Sequence, residues 1–168
     1  IFVNPLQFGP TEDFNRYPRS EAQDIECAKQ AGCTLVFAPD VATLIPQEST
    51  LIHVPEVGDE WEGAHRPGHF VGVATIVLKL FNLVRPTVAY FGWKDFQQCA
   101  VLRRMVEDLF HPVDLVFCET VRESDGLAMS SRNRYLSPEE RGIAPSLYRT
   151  LMEAKTLLAK GNEASHLI

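Results

Sequence analysis

The run Tyr90-Phe91-Gly92-Trp93-Lys94-Asp95-Phe96-Gln97-Gln98 constrains this chain more than any other stretch. Before it, Thr87-Val88-Ala89-Tyr90-Phe91 is β-branched and aromatic, the composition of a buried strand. After it, Cys99, Leu102, Val106 and Leu109 recur at helical spacing, with Arg103, Glu107 and Asp108 turned away from that face. Gly92 is therefore expected at a strand-to-helix turn. Such a turn offers backbone without a Cβ, a helix N-terminus with unpaired N–H groups, and an adjacent lysine, which together suit an anion. The same residues also have capping-box spacing, with Asp95 as N-cap and Gln98 reaching back. On this stretch alone both readings stand.

The flanking sequence places the turn in a parallel α/β pattern. Ile1-Phe2-Val3 reads as a strand ended by Asn4-Pro5, and Leu6-Gln7-Phe8-Gly9-Pro10 is irregular because proline restricts its neighbours. Asn4 and Gln7 are thus expected at a strand's C-terminal end, where open α/β sheets bind ligands. Ser20-Glu21-Ala22-Gln23 has capping-box spacing and opens a helix that Gly32 should close. Thr34 to Phe37 reads as a second strand, Asp40 to Ile45 as a short helical turn, and Leu51 to Val54 as an edge strand. Between Phe70 and Val84 the apolar residues Val73, Ile76, Val77, Leu80, Phe81 and Val84 keep helical spacing, ended by Arg85-Pro86. Val113 to Cys118 gives the strand after His111-Pro112. The alternation implies a Rossmann-like parallel sheet with crossover helices over residues 1–119.

Past Glu119 the sequence turns polar through Asn133, and residues 120–168 are expected to begin a smaller C-terminal domain. Ser137-Pro138-Glu139-Glu140 supplies an N-cap, a first-turn proline and a capping-box glutamate. The helix that follows should point Ala144, Leu147, Leu151, Ala154 and Leu158 inward, stop at Lys160-Gly161, and be kinked or split by Pro145.

A length of 168 residues, 45% hydrophobic, allows one sizeable core and the start of a second. The net charge of −6 argues against a nucleic-acid surface, so a polyanionic ligand must be met by local cations such as Lys94 and Arg132. Cys27, Cys33, Cys99 and Cys118 have no C-x-x-C spacing and read as reduced thiols, with Cys27, Cys99 and Cys118 in apolar patterns. No metal-ligand set stands out. No run approaches the roughly 18 apolar residues of a membrane span, so a cytoplasmic protein without membrane partners is expected. Ile1 already lies within a strand-like run, as if the chain were cut from something longer.

A second polar run, Met129-Ser130-Ser131-Arg132-Asn133, puts two hydroxyls and a guanidinium in succession. Taken with Phe2-Val3-Asn4-Pro5-Leu6-Gln7-Phe8, Arg66-Pro67-Gly68-His69-Phe70, Phe91 to Gln98 and Asp125 to Asn133, in that order, the chain resembles the pantoate–β-alanine ligase (pantothenate synthetase) family over essentially its whole length. The resemblance implies an enzyme that joins pantoate to β-alanine with ATP and Mg²⁺, through an acyl adenylate, releasing AMP and diphosphate, and working as a homodimer. Carried over by position, Gln7 and Gln98 resemble the pantoate-holding residues, with Gln7 also near β-alanine and Asn4 beside it. Gly92, Trp93, Lys94 and Asp95 resemble one ATP-binding run. Val121 resembles the position touching the base, and Met129, Ser130, Ser131 and Arg132 a second phosphate-binding run. Lys94, Ser130, Ser131 and Arg132 are then the candidate catalytic groups.

Departures from the family pattern are specific. Trp93 stands where a glutamate is usual, and Val71 where arginine is frequent. The family's H-x-G-H signature lies upstream of Ile1; His65-Arg66-Pro67-Gly68-His69 imitates it with one residue too many. His69 reads as a helix-entry residue, His65 as a surface residue, and His53, His111 and His166 as structural. Two alternatives to the ligase remain at this point, a related nucleotidyltransferase and a folded fragment with little or no activity.

Overall fold

The computed structural model describes residues 1–161, and their contacts divide into a unit of Ile1–Glu119 and a second that begins at Thr120. In the first unit the order is a 3₁₀ turn at Pro5–Gln7, then α1 (Glu21–Gln30), α2 (Val41–Leu44), α3 (Glu62–His65), α4 (His69–Val84), β1 (Val88–Gly92), a 3₁₀ turn at Trp93–Asp95, α5 (Phe96–Asp108) and β2 (Asp114–Cys118). β1 and β2 pair in parallel, from Val88 opposite Asp114 to Gly92 opposite Cys118, with α5 as the crossover. The α/β class with a parallel sheet is therefore present, as the alternating pattern implied.

One apolar core joins these elements. Phe70, Val73, Ala74 and Phe81 of α4 meet Val101, Leu102 and Met105 of α5, with Ala89, Phe91 and Leu115 of the strands packed against them. The expected face of α5 is rotated slightly: Met105 is buried while Leu109 is half exposed. α4 begins after Gly68 in the left-handed region (φ 84°) and ends with Arg85 likewise left-handed (φ 50°), so the helix is bounded where Gly-His and Arg-Pro interrupt the apolar period.

Three expected strands are absent among the described residues. A strand exists only through its ladder, and Ile1–Val3 and Thr34–Phe37 share a single backbone link, the Ile1 amino group donating to the Phe37 carbonyl. Leu51–Val54 is apolar for a different reason. It lies along α4, with the Ile52 N–H donating to Thr75 Oγ1 at 2.8 Å and Val54 in the core. Burial against a helix, not sheet pairing, explains that pattern. The cysteine expectation also needs correction: only Cys99 is buried, while Cys27, Cys33 and Cys118 are exposed, and all four are free thiols.

Capping follows tertiary context as well. α1 is closed at Gly32 (φ 83°), yet Ser20 makes no side-chain cap and instead donates to Asp24 Oδ1 at 3.2 Å. α2 is capped by Asp40, whose Oδ1 accepts from the Thr43 N–H at 2.7 Å.

In the second unit, residues 121–129 fold back on themselves: the Met129 N–H donates to the Val121 carbonyl at 3.0 Å, Arg122 and Ala128 form an antiparallel bridge, and Gly126 turns the chain at φ 97°. A 3₁₀ turn at Ser131–Tyr135 leads to α6 (Pro138–Ile143) and α7 (Ser146–Ala159). The Ser137–Glu140 capping box forms in both directions, at 3.2 and 2.8 Å. Pro145 is buried between α6 and α7 and splits them, because its ring cannot sit within a continuing helix. The expected inward face of α7 is not covered within the described residues: Leu147, Leu151 and Leu158 are exposed, and only Ala144 and Ala154 are half-buried.

Candidate functional site

Asn4 and Gln7 bracket the 3₁₀ turn rather than follow a strand. Asn4 is buried and works as its cap: Oδ1 accepts from the Leu6 N–H at 3.0 Å, while Nδ2 donates to the Gly72 carbonyl at 3.0 Å and to Gln7 Oε1 at 3.2 Å. The Gln7 amide is thus oriented by Asn4, with its Nε2 end left for another acceptor. α4 comes against this turn backbone to backbone. A Cβ at Gly72 would lie 2.3 Å from the Leu6 oxygen and 2.7 Å from the Gln7 nitrogen, so only glycine admits the approach.

At the head of α5 the two glutamines do different work. Gln97 is buried: Oε1 accepts from the Glu62 N–H at 3.0 Å, and Nε2 donates to the carbonyls of Val57 and Glu60 at 2.9 and 2.8 Å. It holds the 57–62 loop onto the helix. Sequence reasoning missed this residue, because adjacent helical positions differ by about 100° and nothing local says which of two like amides faces inward. Gln98 is half-buried, and its amide makes no hydrogen bond among the described residues. The capping box read from Asp95 and Gln98 does not form. Asp95 caps nothing with its side chain, and its Oδ1 accepts from Lys94 Nζ at 2.8 Å.

Gly92 ends β1 in extended conformation (φ −93°), and an added Cβ would meet only the Lys94 nitrogen at 4.0 Å. Neither its torsion nor its packing within the protein demands glycine. Among the described residues the exposed Lys94 beside it is bound only to Asp95, and an exposed ion pair is weak enough to exchange for a stronger anion. Trp93 has its side chain committed elsewhere: its ring stacks on Phe96 (5.5 Å, 27°), tilts over Phe117 (4.8 Å), and has Arg103 above it at 6.0 Å.

In the second unit the fold-back brings Val121 and Met129, eight residues apart in sequence, into backbone contact. Ser130 Oγ accepts from the Arg132 N–H at 3.2 Å and so caps the 3₁₀ turn. An open hollow of about 600 Å³ is lined by Glu123, Met129, Ser130, Ser131, Asn133 and Arg134. Arg132 is exposed but not among these lining residues; Arg134 is, a cation that the Ser-Ser-Arg pattern did not single out. Asn133 anchors the loop by donating to the Ala128 carbonyl at 3.0 Å. The histidines other than His69 play local parts: His53 Nε2 lies 2.8 Å from Asp59 Oδ1, His111 tilts against Phe81 at 5.3 Å, and His65 is exposed. His166 falls outside the described residues.

A parallel β1–α5–β2 crossover with a glycine-lysine turn at its sheet end defines an α/β protein of nucleotidyltransferase-like fold. The pattern of the pantoate-beta-alanine ligase family matches residues 1–168, and the chain belongs to that family. It is 56% identical over 162 residues to the pantothenate synthetase of Agrobacterium fabrum, covering 96% of this chain and 56% of that protein. It is 53% identical over 169 residues to that of a Thermoanaerobacter species, covering 100% and 60%. Among solved structures, pantothenate synthetase from Thermus thermophilus superposes with a TM-score of 0.95 at 52% identity, over 99% of this chain and 61% of that one. The pantoate-beta-alanine ligase of Francisella tularensis, complexed with beta-gamma ATP and beta-alanine, gives 0.85 at 36% identity, over 90% and 59%. The chain thus spans about three fifths of the length of these relatives.

Proposed function

We propose that this chain carries pantoate- and ATP-contacting residues of a ligase that condenses pantoate with β-alanine to give pantothenate, AMP and diphosphate. The observation that carries the proposal is the Gln98 amide, half-buried and unused by hydrogen bonds among the described residues, one helical turn from exposed Lys94 in a chain the ligase family matches throughout. The Francisella relative's complex with beta-gamma ATP and β-alanine supports the same ligand classes here.

In the first step a pantoate carboxylate oxygen attacks the α-phosphorus of ATP and the bond to diphosphate breaks. Gln7 and Gln98 orient the acid through neutral amides, which hold a carboxylate without quenching it as a paired guanidinium would. Lys94, with the backbone of Gly92, Trp93 and Asp95, is assigned to ATP phosphate. Val121 is assigned to the base, and Met129, Ser130, Ser131 and Arg132 to phosphate, so that charge moving onto diphosphate meets fixed donors. In the second step the β-alanine amine attacks the acyl carbon, AMP leaves, and the nitrogen gives up a proton. Mg²⁺ is proposed to arrive with ATP, bound to the phosphate oxygens whose charge it neutralises. A homodimer and a cytoplasmic setting belong to the same proposal; no helix among the described residues is long and apolar enough to cross a membrane.

The test is made on the protein at the full length of its relatives. Pantoate-dependent exchange of diphosphate into ATP without β-alanine, then pantothenate and AMP on adding β-alanine, is expected. Exchange that ignores pantoate, or nucleotidyl transfer without pantothenate, refutes the ligase.

A further inference from the structure

Around the Gln7 turn lies a polar cluster that the proposed chemistry leaves unused. Arg66 Nε and Nη2 donate to the two oxygens of Glu12 at 2.7 Å each, a bidentate pair between residues 54 apart in sequence. Its Nη1 donates to Glu62 Oε1 at 2.7 Å and lies 3.2 Å from His69 Nε2, and Nη2 reaches toward the Gln7 carbonyl at 3.4 Å. His69, only 9% exposed, has Nδ1 2.8 Å from that same carbonyl.

These contacts assign the ring's proton. A carbonyl can only accept, so Nδ1 must carry the hydrogen and donate to Gln7; Nε2 then presents its lone pair to the Arg66 Nη1 donor. Donors and acceptors therefore run consistently from Glu12 through Arg66 and His69 to the Gln7 backbone. Reversing the tautomer would set a lone pair against the carbonyl and a hydrogen against a guanidinium. On the other side, the Gly72 carbonyl receives the Asn4 amide, and the missing Cβ permits a backbone approach that any side chain would block.

We propose that His69 and Arg66, with Glu12 locking the guanidinium, are positioning residues for pantoate use. They hold the Gln7 carbonyl, and so aim the Gln7 amide, without touching the substrate. The proposal rests on the reading of Gln7 as a pantoate-binding residue. It separates the two ends of Arg66-Pro67-Gly68-His69: the histidine acts on the Gln7 carbonyl at 2.8 Å, and the arginine acts through the histidine and by its own longer contact of 3.4 Å to that carbonyl, the intervening Pro-Gly turning the chain so that both reach it.

The experiment measures KM for pantoate and for ATP, with thermal midpoints, in the full-length enzyme carrying Gln7→Ala, His69→Ala, His69→Asn, Glu12→Gln, and Gln7→Ala with His69→Ala together. His69→Ala should raise KM for pantoate about tenfold, the effect of one lost buried hydrogen bond, and leave KM for ATP within about twofold. Asparagine can place its Nδ2 where Nδ1 of histidine stood, so His69→Asn should recover most of the loss. Glu12→Gln should shift pantoate KM in the same direction by less. Because His69 acts through Gln7, the double variant should be no worse for pantoate than Gln7→Ala alone. Additive losses, equal effects on ATP, or failure of asparagine to rescue would overturn the clamp. If Gln7→Ala leaves pantoate KM unchanged, the Gln7 assignment itself falls and the clamp with it; if Gln7→Ala is impaired and His69→Ala is normal, only the clamp falls.

Discussion

Replacing each of the adjacent glutamines at the head of α5 by alanine should separate structure from function. Gln97 makes three hydrogen bonds, to Glu62, Val57 and Glu60, from a side chain only 8% exposed. Gln97→Ala removes all three and leaves the Glu62 N–H and two carbonyls to find water on a loop packed against the helix. At about 1 kcal/mol net for each bond, the loss is about 2–4 kcal/mol of unfolding free energy. Gln98 is half-buried but forms no such bonds, so Gln98→Ala should stay within about 1 kcal/mol of the parent. Urea unfolding of the two variants and the parent, followed by far-UV circular dichroism, gives the comparison directly. The catalytic readout should invert the order for pantoate: Gln98→Ala loses about 1–3 kcal/mol in kcat/KM for pantoate and little for ATP, since a polar contact to the acid is gone. A Gln97→Ala variant as stable as the parent would refute the pinning role. A Gln98→Ala variant with normal pantoate kinetics would remove Gln98 from the proposed site.

Three further outcomes are expected. Lys94→Ala should depress pantoate-dependent diphosphate exchange, and saturating pantoate should not repair it; unchanged exchange with a slowed overall reaction would move Lys94 to the second step. Gly126→Ala should destabilise the second unit by about 2 kcal/mol or more, because φ of 97° is strained for alanine and the new Cβ would lie 2.2 Å from Tyr148 Cδ1; unaltered thermal unfolding would refute it. The hydrogen bonds from Arg66 hold the Glu12 carboxyl below its ordinary value of 4.5. Its contribution is therefore full above that value and lost as pH falls through the lower folded one. The stability gap between parent and Glu12→Gln should be constant near neutrality and close in acid, as read from urea midpoints at a series of pH values; a gap that widened in acid would contradict the pairing.

The helices and strands that the sequence placed correctly are those with local causes. α4 is a long run of period 3.6 between Gly68 and Arg85-Pro86, β1 and β2 are β-branched and aromatic runs around α5, and Ser137 to Glu140 closes its own capping box. Gly32 ends α1 and Pro145 divides α6 from α7 for reasons carried by single residues. Each of these depends on neighbours within a few positions, so the order of residues suffices.

What the tertiary structure alone decided involves partners that sequence spacing does not reveal. Ile1–Val3, Thr34–Phe37 and Leu51–Val54 are apolar in strand-like ways, but a strand needs a second one in register, and Leu51–Val54 found α4 instead. The caps expected at Ser20 and Asp95 were lost to Asp24 and Lys94, side chains able to compete for the same short polar groups. Gln97 and Gln98 are chemically identical, and only the packing of α5 against the 57–62 loop turned one inward. Glu12 and Arg66 carry opposite charge in a chain rich in both signs, and nothing but the approach of α4 to the Gln7 turn could select that pair. Local sequence specifies torsions and periodicity; which buried donor meets which acceptor is settled only when distant backbone segments come within hydrogen-bonding distance, about 3 Å.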